Sequence, residues 1–419
     1  METTTVRSGD SEAAATSEAE AESTVVPRSR KGRPLLFGAL AGAATFGLVL
    51  GVDALGATAP PSDGVVFPET VASYAQFTTG GEPSSVALMT YQNGFGVEFL
   101  DYPQQITMSV DGSTFRRLGV AERRGTGIDQ GDPAQTLLSP DGTFVVIAGA
   151  DGHGSLRIEA FGDGEDRDLS VGDGRSALPL SINGDSVLVL TSDETISPYT
   201  DMDFRLRGEL EIVDLASGAR TDLGFADVDS GALSPDGDTV AAIAASGPVL
   251  IDVVTATATP LASVDRNAYV GGDAWSPDGT RFALVDRAGV QVVDAAGVAT
   301  DVAAHPDDDG WTSVLGWRDD ETLLVQTSDW SNAAEFAWLD VETGTSTVFS
   351  TYEPGFTGAA LADVDVARDL IGAWTVRQVP ADQGSTGTVL LGLGAGLVVG
   401  LVVWLVLRRR SVHRDGALG

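Results

Sequence analysis

The chain of 419 residues contains no cysteine, a single lysine (Lys31) and three histidines. The lack of thiols excludes disulfide staples and thiol chemistry and is compatible with either redox compartment. Positive charge is scarce where the chain is longest: residues 60–387 hold 16 Arg and no Lys against 52 Asp plus Glu. Such a surface repels nucleic acid, so no nucleic-acid partner is expected. Its acidity is read as solubility. Few residues offer nucleophilic or acid–base chemistry. His153 sits in Asp151-Gly152-His153-Gly154, His305 stands beside Pro306, and His413 follows the last apolar run. No Gly-x-Ser-x-Gly elbow presents a serine to any of them, and no glycine-rich phosphate loop precedes a helix. The acidic stretches Asp163-Gly164-Glu165-Asp166 and Asp307-Asp308-Asp309-Gly310 carry hard oxygen ligands. Neither fits a twelve-residue calcium loop, so solvated loops are expected. No catalytic, cofactor or metal residue is assigned, and the chain is expected not to be an enzyme.

What the chain does have is two long apolar runs. Residues 1–33, rich in Ser, Thr, Ala and Glu, read as a disordered tail ending in Arg28, Arg30, Lys31 and Arg33. Leu35–Val52 follows without a charge, and Asp53 ends it. Ala57-Thr58-Ala59 offers a signal-peptide cleavage alternative, but the leader is long and acidic and Pro60 hinders cleavage. Thr388–Leu407 is 20 uncharged residues followed by Arg408, Arg409, Arg410 and Arg414. Both runs are long enough to cross a bilayer, and the basic flanks predict both termini in the cytoplasm with the middle outside. Gly38/Gly42, Gly47/Gly51 and Gly392/Gly396/Gly400 have small-xxx-small spacing. That spacing would let the spans pack on each other or form a homodimer.

Between the runs the sequence repeats. Leu138-Ser139-Pro140-Asp141-Gly142 recurs at Leu233-Ser234-Pro235-Asp236-Gly237 and, with Trp, at Trp275-Ser276-Pro277-Asp278-Gly279. Pro pre-sets the turn, Asp bonds local backbone, and Gly accepts positive φ. Degenerate copies begin at Ser181 and Trp317, so successive intervals are 42, 53, 42 and again 42 from Trp275 to Trp317. A period near 42 fits one four-stranded propeller blade. Each unit ends in a second hairpin with Asp214, Asp294 or Asp340, and Asp236 to Asp252 and Asp278 to Asp294 are both 16 apart. The first unit, Val86–Tyr91 onward, lacks an inner strand, which the far end near Gly358–Val366 could supply. Six units start near 86, 137, 179, 232, 274 and 315. Asp369–Val376 reads either as the start of a seventh blade or as a short closing helix.

Repeated Leu/Trp-Ser-Pro-Asp-Gly with a later Asp-x-x-x-Gly hairpin resembles the WD40-like repeats of the TolB-type β-propeller. In particular, it resembles actinobacterial membrane-anchored propellers, over about residues 84–379. The resemblance implies fold alone, because the matching residues are turn and core residues. The absence of any Trp-Asp dipeptide separates the chain from eukaryotic-type WD repeats and their partners. Ser109-Val110-Asp111-Gly112-Ser113-Thr114-Phe115 resembles a sialidase Asp-box turn one residue short, and no carboxylate pair stands out for glycoside hydrolysis. Trp311, Trp317, Trp330 and Trp338 are expected mainly in blade packing, with Trp330 the best candidate for exposure.

The expected plan is an all-β chain: a β-propeller, six blades preferred and seven possible, flanked by two transmembrane helices. Residues 1–33 form a cytoplasmic tail, 34–56 a transmembrane helix or signal anchor, and 57–83 a linker. The propeller spans 84–379, a linker 380–387, the second span 388–407, and a basic cytoplasmic tail 408–419. The expected function is an extracytoplasmic scaffold at the cell membrane that binds envelope protein partners. Alternatives are an envelope glycan or small-molecule sensor and, third, a hydrolase. Recognition is expected in the loops Ser192–Arg207 and Ala304–Trp311, where the repeat is lengthened or broken.

Overall fold

The computed structural model describes residues 64–73, 78–81, 84–94, 103–125, 131–197, 205–304, 310–329, 331–355, 359–384 and 386–415. The first apolar run, Leu35–Val52, lies outside them, as do Trp330 and the loop cores 198–204 and 305–309. The chain divides into two units, one spanning 49–391 and another that contains 392–419, and each is described by itself.

The first unit is a six-bladed β-propeller. Blades 2, 3 and 4 are consecutive antiparallel four-stranded sheets that begin with the inner strands Thr136–Leu138, Ser176–Asn183 and Val228–Leu233. Blade 6 begins with Trp311–Asp319 and gains an outermost parallel strand, Thr70–Val71, from the stretch read as linker. Blade 5 pairs three regular strands, and its inner segment is held by the bridges Tyr269↔Val285 and Trp275↔Phe282. Blade 1 is closed as the sequence suggests. Leu361–Val366 pairs antiparallel inside Ala87–Asn93, so strands from both ends of the domain share one sheet. A second closure pairs Val66–Pro68 in parallel with Thr375–Arg377. Residues 368–373 form a 3-10 helix, so no seventh blade starts there.

The Ser-Pro-Asp-Gly turns are built alike. In blade 2, Ser139 Oγ donates to Asp141 Oδ1 at 2.8 Å and accepts Phe144 N at 3.0 Å. Asp141 Oδ1 also accepts Thr143 N at 3.0 Å, and Gly142 takes φ +75°. Ser234/Asp236 and Ser276/Asp278 repeat this pattern. Bonds from Ser234 and Ser276 hold Asp236 and Asp278 below the usual carboxylate range, and Asp141 is held down by its bonds despite burial. Ser109-Val110-Asp111-Gly112 makes the same turn without the proline, joining the two outer strands of blade 1.

Apolar strand faces pack blade against blade, as stacked sheets require. Trp317 is 5% exposed and donates Nε1–H to Ala274 O at 2.7 Å, and Trp275 donates likewise to Ala232 O at 3.0 Å. In blades 5 and 6 the tryptophan before the turn thus staples its blade to the preceding one. Trp338 stacks on Phe349 at 4.7 Å.

The run Thr388–Leu407 lies inside the helix Thr386–Asp415 of 30 residues. Burial is described for 392–406 and 409 of it, the first a stretch of about 22 Å at about 1.5 Å per residue. Among the described residues no helix is long and apolar enough to cross a membrane. Of the two flanking spans of the expected plan, the second is not supported by this helix, and the first lies outside the described residues. On this helix Leu397, Val398, Leu401 and Val402 are exposed, whereas Gly392 and Gly396 are buried.

Candidate functional site

Six inner strands around an axis leave a central channel, and its contents follow from which residues begin and end those strands. The 3-10 helix Arg368–Ala373 crosses one end. Asp369 N donates to Pro140 O at 3.0 Å in blade 2. Arg368 Nη2 donates to Asn183 Oδ1 at 3.1 Å in blade 3, and Nη1 donates to Asp273 Oδ1 at 3.0 Å in blade 5. Ile371 packs where a side chain at Gly316 of blade 6 would stand. A segment touching four blades at their turn-side ends has to lie across the channel, so that end is blind.

Above this plug is a cavity of about 500 Å³. Its mouth is lined by residues at the opposite ends of the inner strands: Asp132, Asp229, Tyr269, Trp311 and Asp363. Ile196, Leu206 and Trp311 bring both irregular loops to the cavity wall. The expectation that recognition lies in those loops thus meets the channel mouth.

Two carboxylates at the floor are committed to structure. Asp365 Oδ2 accepts Leu138 N at 2.5 Å and its Oδ1 accepts Val366 N at 2.9 Å, tying the closing strand to blade 2. Burial and then Asp273 push Asp365 well above the usual carboxylate range. Asp273 is also raised by burial, against the pull of Arg368. Asp363 is different. Pairing jumps from Ala362↔Gln92 to Asp365↔Thr90, so Asp363 and Val364 bulge out of the ladder, and Asp363 has φ +43°. Burial and then Asp132 push its carboxyl up to about 6. Asp363 and Tyr269 are both exposed, Tyr269 at 53%, so the groups stand at the solvent-filled mouth of the cavity.

Of the residues singled out in the sequence, the turn aspartates Asp141, Asp236 and Asp278 stand in separate turns and form no common site. His153 is exposed in its turn, and His305 and Asp307–Asp309 lie outside the described residues. Asp166 pairs with Arg157 at 2.9 Å on the surface. Among the described residues no group of three or more His, Asp or Glu could hold a metal ion. Sequence reasoning did not find Asp132, Asp229, Asp273, Asp363 and Asp365. One local signal existed: Gly271-Gly272-Asp273 interrupts an inner strand. A Cβ on Gly272 would lie 2.4 Å from Leu180 O, so this backbone approaches blade 3 closely.

No protein-family model and no curated protein matches the chain. Solved structures match at low identity. TolB from Acinetobacter baumannii is 14% identical, with 68% of each chain covered and a TM-score of 0.47. A putative TolB from Agrobacterium tumefaciens is 13% identical over 66% of this chain and 98% of that one, TM-score 0.41. An oligogalacturonate lyase from Vibrio parahaemolyticus is 11% identical over 64% and 80%, TM-score 0.42. The propeller assignment rests on the strand order of the sheets.

Proposed function

We propose that this protein is a membrane-anchored, extracytoplasmic β-propeller that binds a protein partner of the cell envelope through the open face of its channel. The observation that carries the binding reading is the one-ended cavity whose mouth is framed by Ile196, Leu206 and Trp311 from the two irregular loops. Loops on a rigid propeller are a recognition surface. The role is binding and not catalysis: Asp273 and Asp365 are spent on Arg368 and on backbone amides. Anchoring is supported by the uncharged run Thr388–Leu407 with its arginine flank, and by Leu and Val exposed on the helix that carries it. Leu35–Val52 with the basic cluster before it supplies the second anchor, and the glycine ridge Gly392–Gly396–Gly400 is the surface on which the anchors, or two copies, pack.

The absence of cysteine makes the topology directly testable. Val254→Cys, at a position 83% exposed, should react with a membrane-impermeant maleimide in intact cells, and Ser411→Cys only after lysis. The opposite pattern refutes the orientation. Crosslinking in intact cells should recover the same envelope proteins repeatedly, and recovering none rejects the scaffold role. The cavity volume also suits a small-molecule or glycan sensor, since such sites span about 300–1,000 Å³. Ligand retention without a protein partner would select that reading.

A further inference from the structure

The cavity wall has hydrogen-bond acceptors without donors to match. Gln92 and Gln326 line it and are 4% and 3% exposed. Gln92 Nε2 donates to Gly94 O at 2.8 Å and to Asp132 Oδ1 at 2.9 Å. Gln326 Nε2 donates to Ser328 Oγ and to Leu361 O, both at 3.1 Å. Both amide nitrogens are therefore spent, and among the described residues neither Oε1 receives a hydrogen bond. Neither oxygen is among the fully buried unpartnered atoms, so solvent reaches each of them and a bound donor would take the place of water.

The charge is equally one-sided. Among the described residues no Arg, Lys or His lines the cavity. The arginines at its edges are committed, Arg205 to Asp229 at 3.8 Å and Arg368 to Asp273 at 3.0 Å. Among the described residues the Asp363 carboxylate has neither ion pair nor hydrogen bond, and its interaction with Asp132 is repulsive. Tyr269 and Trp311 add π faces to the same mouth. Trp311 pairs with Ser328, which Gln326 bonds, so the ring belongs to the same corner as the unpartnered amide oxygen.

We propose that the channel binds an organic cation, an ammonium or guanidinium group that donates to Oε1 of Gln92 and Gln326, pairs with Asp363 and Asp132, and lies against Tyr269 or Trp311. A neutral polyol would satisfy the amide oxygens and leave the charge. A bare metal ion would need converging ligands, and the described residues provide no such set. The inference rests on reading the channel as the binding face. The cation is either a basic side chain of a protein partner or a free amine.

The full-length protein should be titrated calorimetrically with spermidine and, separately, with a Gly-Lys-Gly peptide. At least one should bind saturably at one site. Asp363→Asn should weaken binding about tenfold or more, the loss of one charge-assisted contact. Asp363→Lys should abolish it by placing a cation in the site, and the surface change Asp238→Asn should leave it unaltered. Binding near pH 6 should release protons, because a bound cation lowers the carboxyl that burial and Asp132 raise. Stronger spermidine binding assigns a free amine, and stronger peptide binding a partner's side chain. No saturable binding by either probe, or binding by Asp363→Asn equal to the parent with unchanged thermal midpoints, overturns the proposal. Envelope partners still captured by Asp363→Asn when neither probe binds would sink the cation and keep the scaffold. Probe binding without partner capture would do the reverse.

Discussion

The glycines of the repeated turn are alike in sequence and unlike in cost. Gly142, Gly237 and Gly279 close the same turn at φ +75°, +77° and +70°. An alanine at any of them must hold a left-handed conformation, worth about 1–2 kcal/mol. A less flexible unfolded chain offsets about 0.4–1 kcal/mol of that. Around Gly237 an added Cβ meets nothing within 4 Å, so Gly237→Ala should lose only about 1 kcal/mol. At Gly142 the same Cβ would stand 2.1 Å from Ala87 O, 3.1 Å from Val86 Cγ1 and 3.2 Å from Ala367 Cβ. Ordinary contact begins at 3.4 Å, so the turn and blade 1 must part by more than 1 Å. That movement breaks the bond from Ala87 N to Gly142 O at 2.8 Å, which ties blade 2 to blade 1. A lost buried hydrogen bond costs about 1–3 kcal/mol and overpacking about 1–3 kcal/mol more, so Gly142→Ala should lose about 3–6 kcal/mol. Gly279, whose Cβ would meet Pro235 Cδ at 3.6 Å, should behave like Gly237. Urea unfolding of the three variants, followed by tryptophan fluorescence and compared at a common slope, separates the cases. Losses within about 0.5 kcal/mol of one another would refute the claim that inter-blade contact, and not local turn strain, sets the cost.

Other expectations follow from the channel and the staples. Asp363 and Asp365 are raised in the fold, so their contribution is fully present below the unfolded value of about 4 and is lost as pH rises, for Asp363 through about 6. Asp236 and Asp278 are lowered, so theirs is present above about 4 and is lost on further acidification. The thermal midpoint should therefore decline from about pH 4 to about pH 6, and Asp363→Asn should flatten that decline. A midpoint that climbs through this window in both proteins contradicts the assignment. Arg368→Ala strands the largely buried Asp273 and unpins the channel plug, which should cost about 2–4 kcal/mol in urea unfolding. The double change Arg368→Met with Asp273→Leu should recover most of it, and an equal loss in single and double variants would deny the pairing. Trp317→Phe removes the 2.7 Å bond to Ala274 O and should cost about 1–2 kcal/mol, while Trp317→Leu should cost more by underfilling the blade 5–6 interface. A fully stable Trp317→Leu protein would remove the staple from the account.

The chain by itself determined the turns, the period and the closure. Ser139 to Asp141 and Ser139 to Phe144 are contacts of two and five residues, so the chemistry of each turn is written inside it. The interval of 42 then follows from four short strands per blade, and the incomplete first unit implied a partner strand, which is Leu361–Val366. The two uncharged runs, Leu35–Val52 and Thr388–Leu407, are likewise legible without any fold. Only the tertiary structure decided that Gly142 is trapped against Ala87 while Gly237 faces open space. It also decided which few of the many aspartates face one another. Asp132, Asp229, Asp273, Asp363 and Asp365 come from four blades and stand up to 233 residues apart, and nothing local distinguishes them from the solvated majority. Ring closure turns the inner strands toward one axis, and the bulge at Asp363 follows from joining the last strand to the first sheet, a constraint no window of sequence contains.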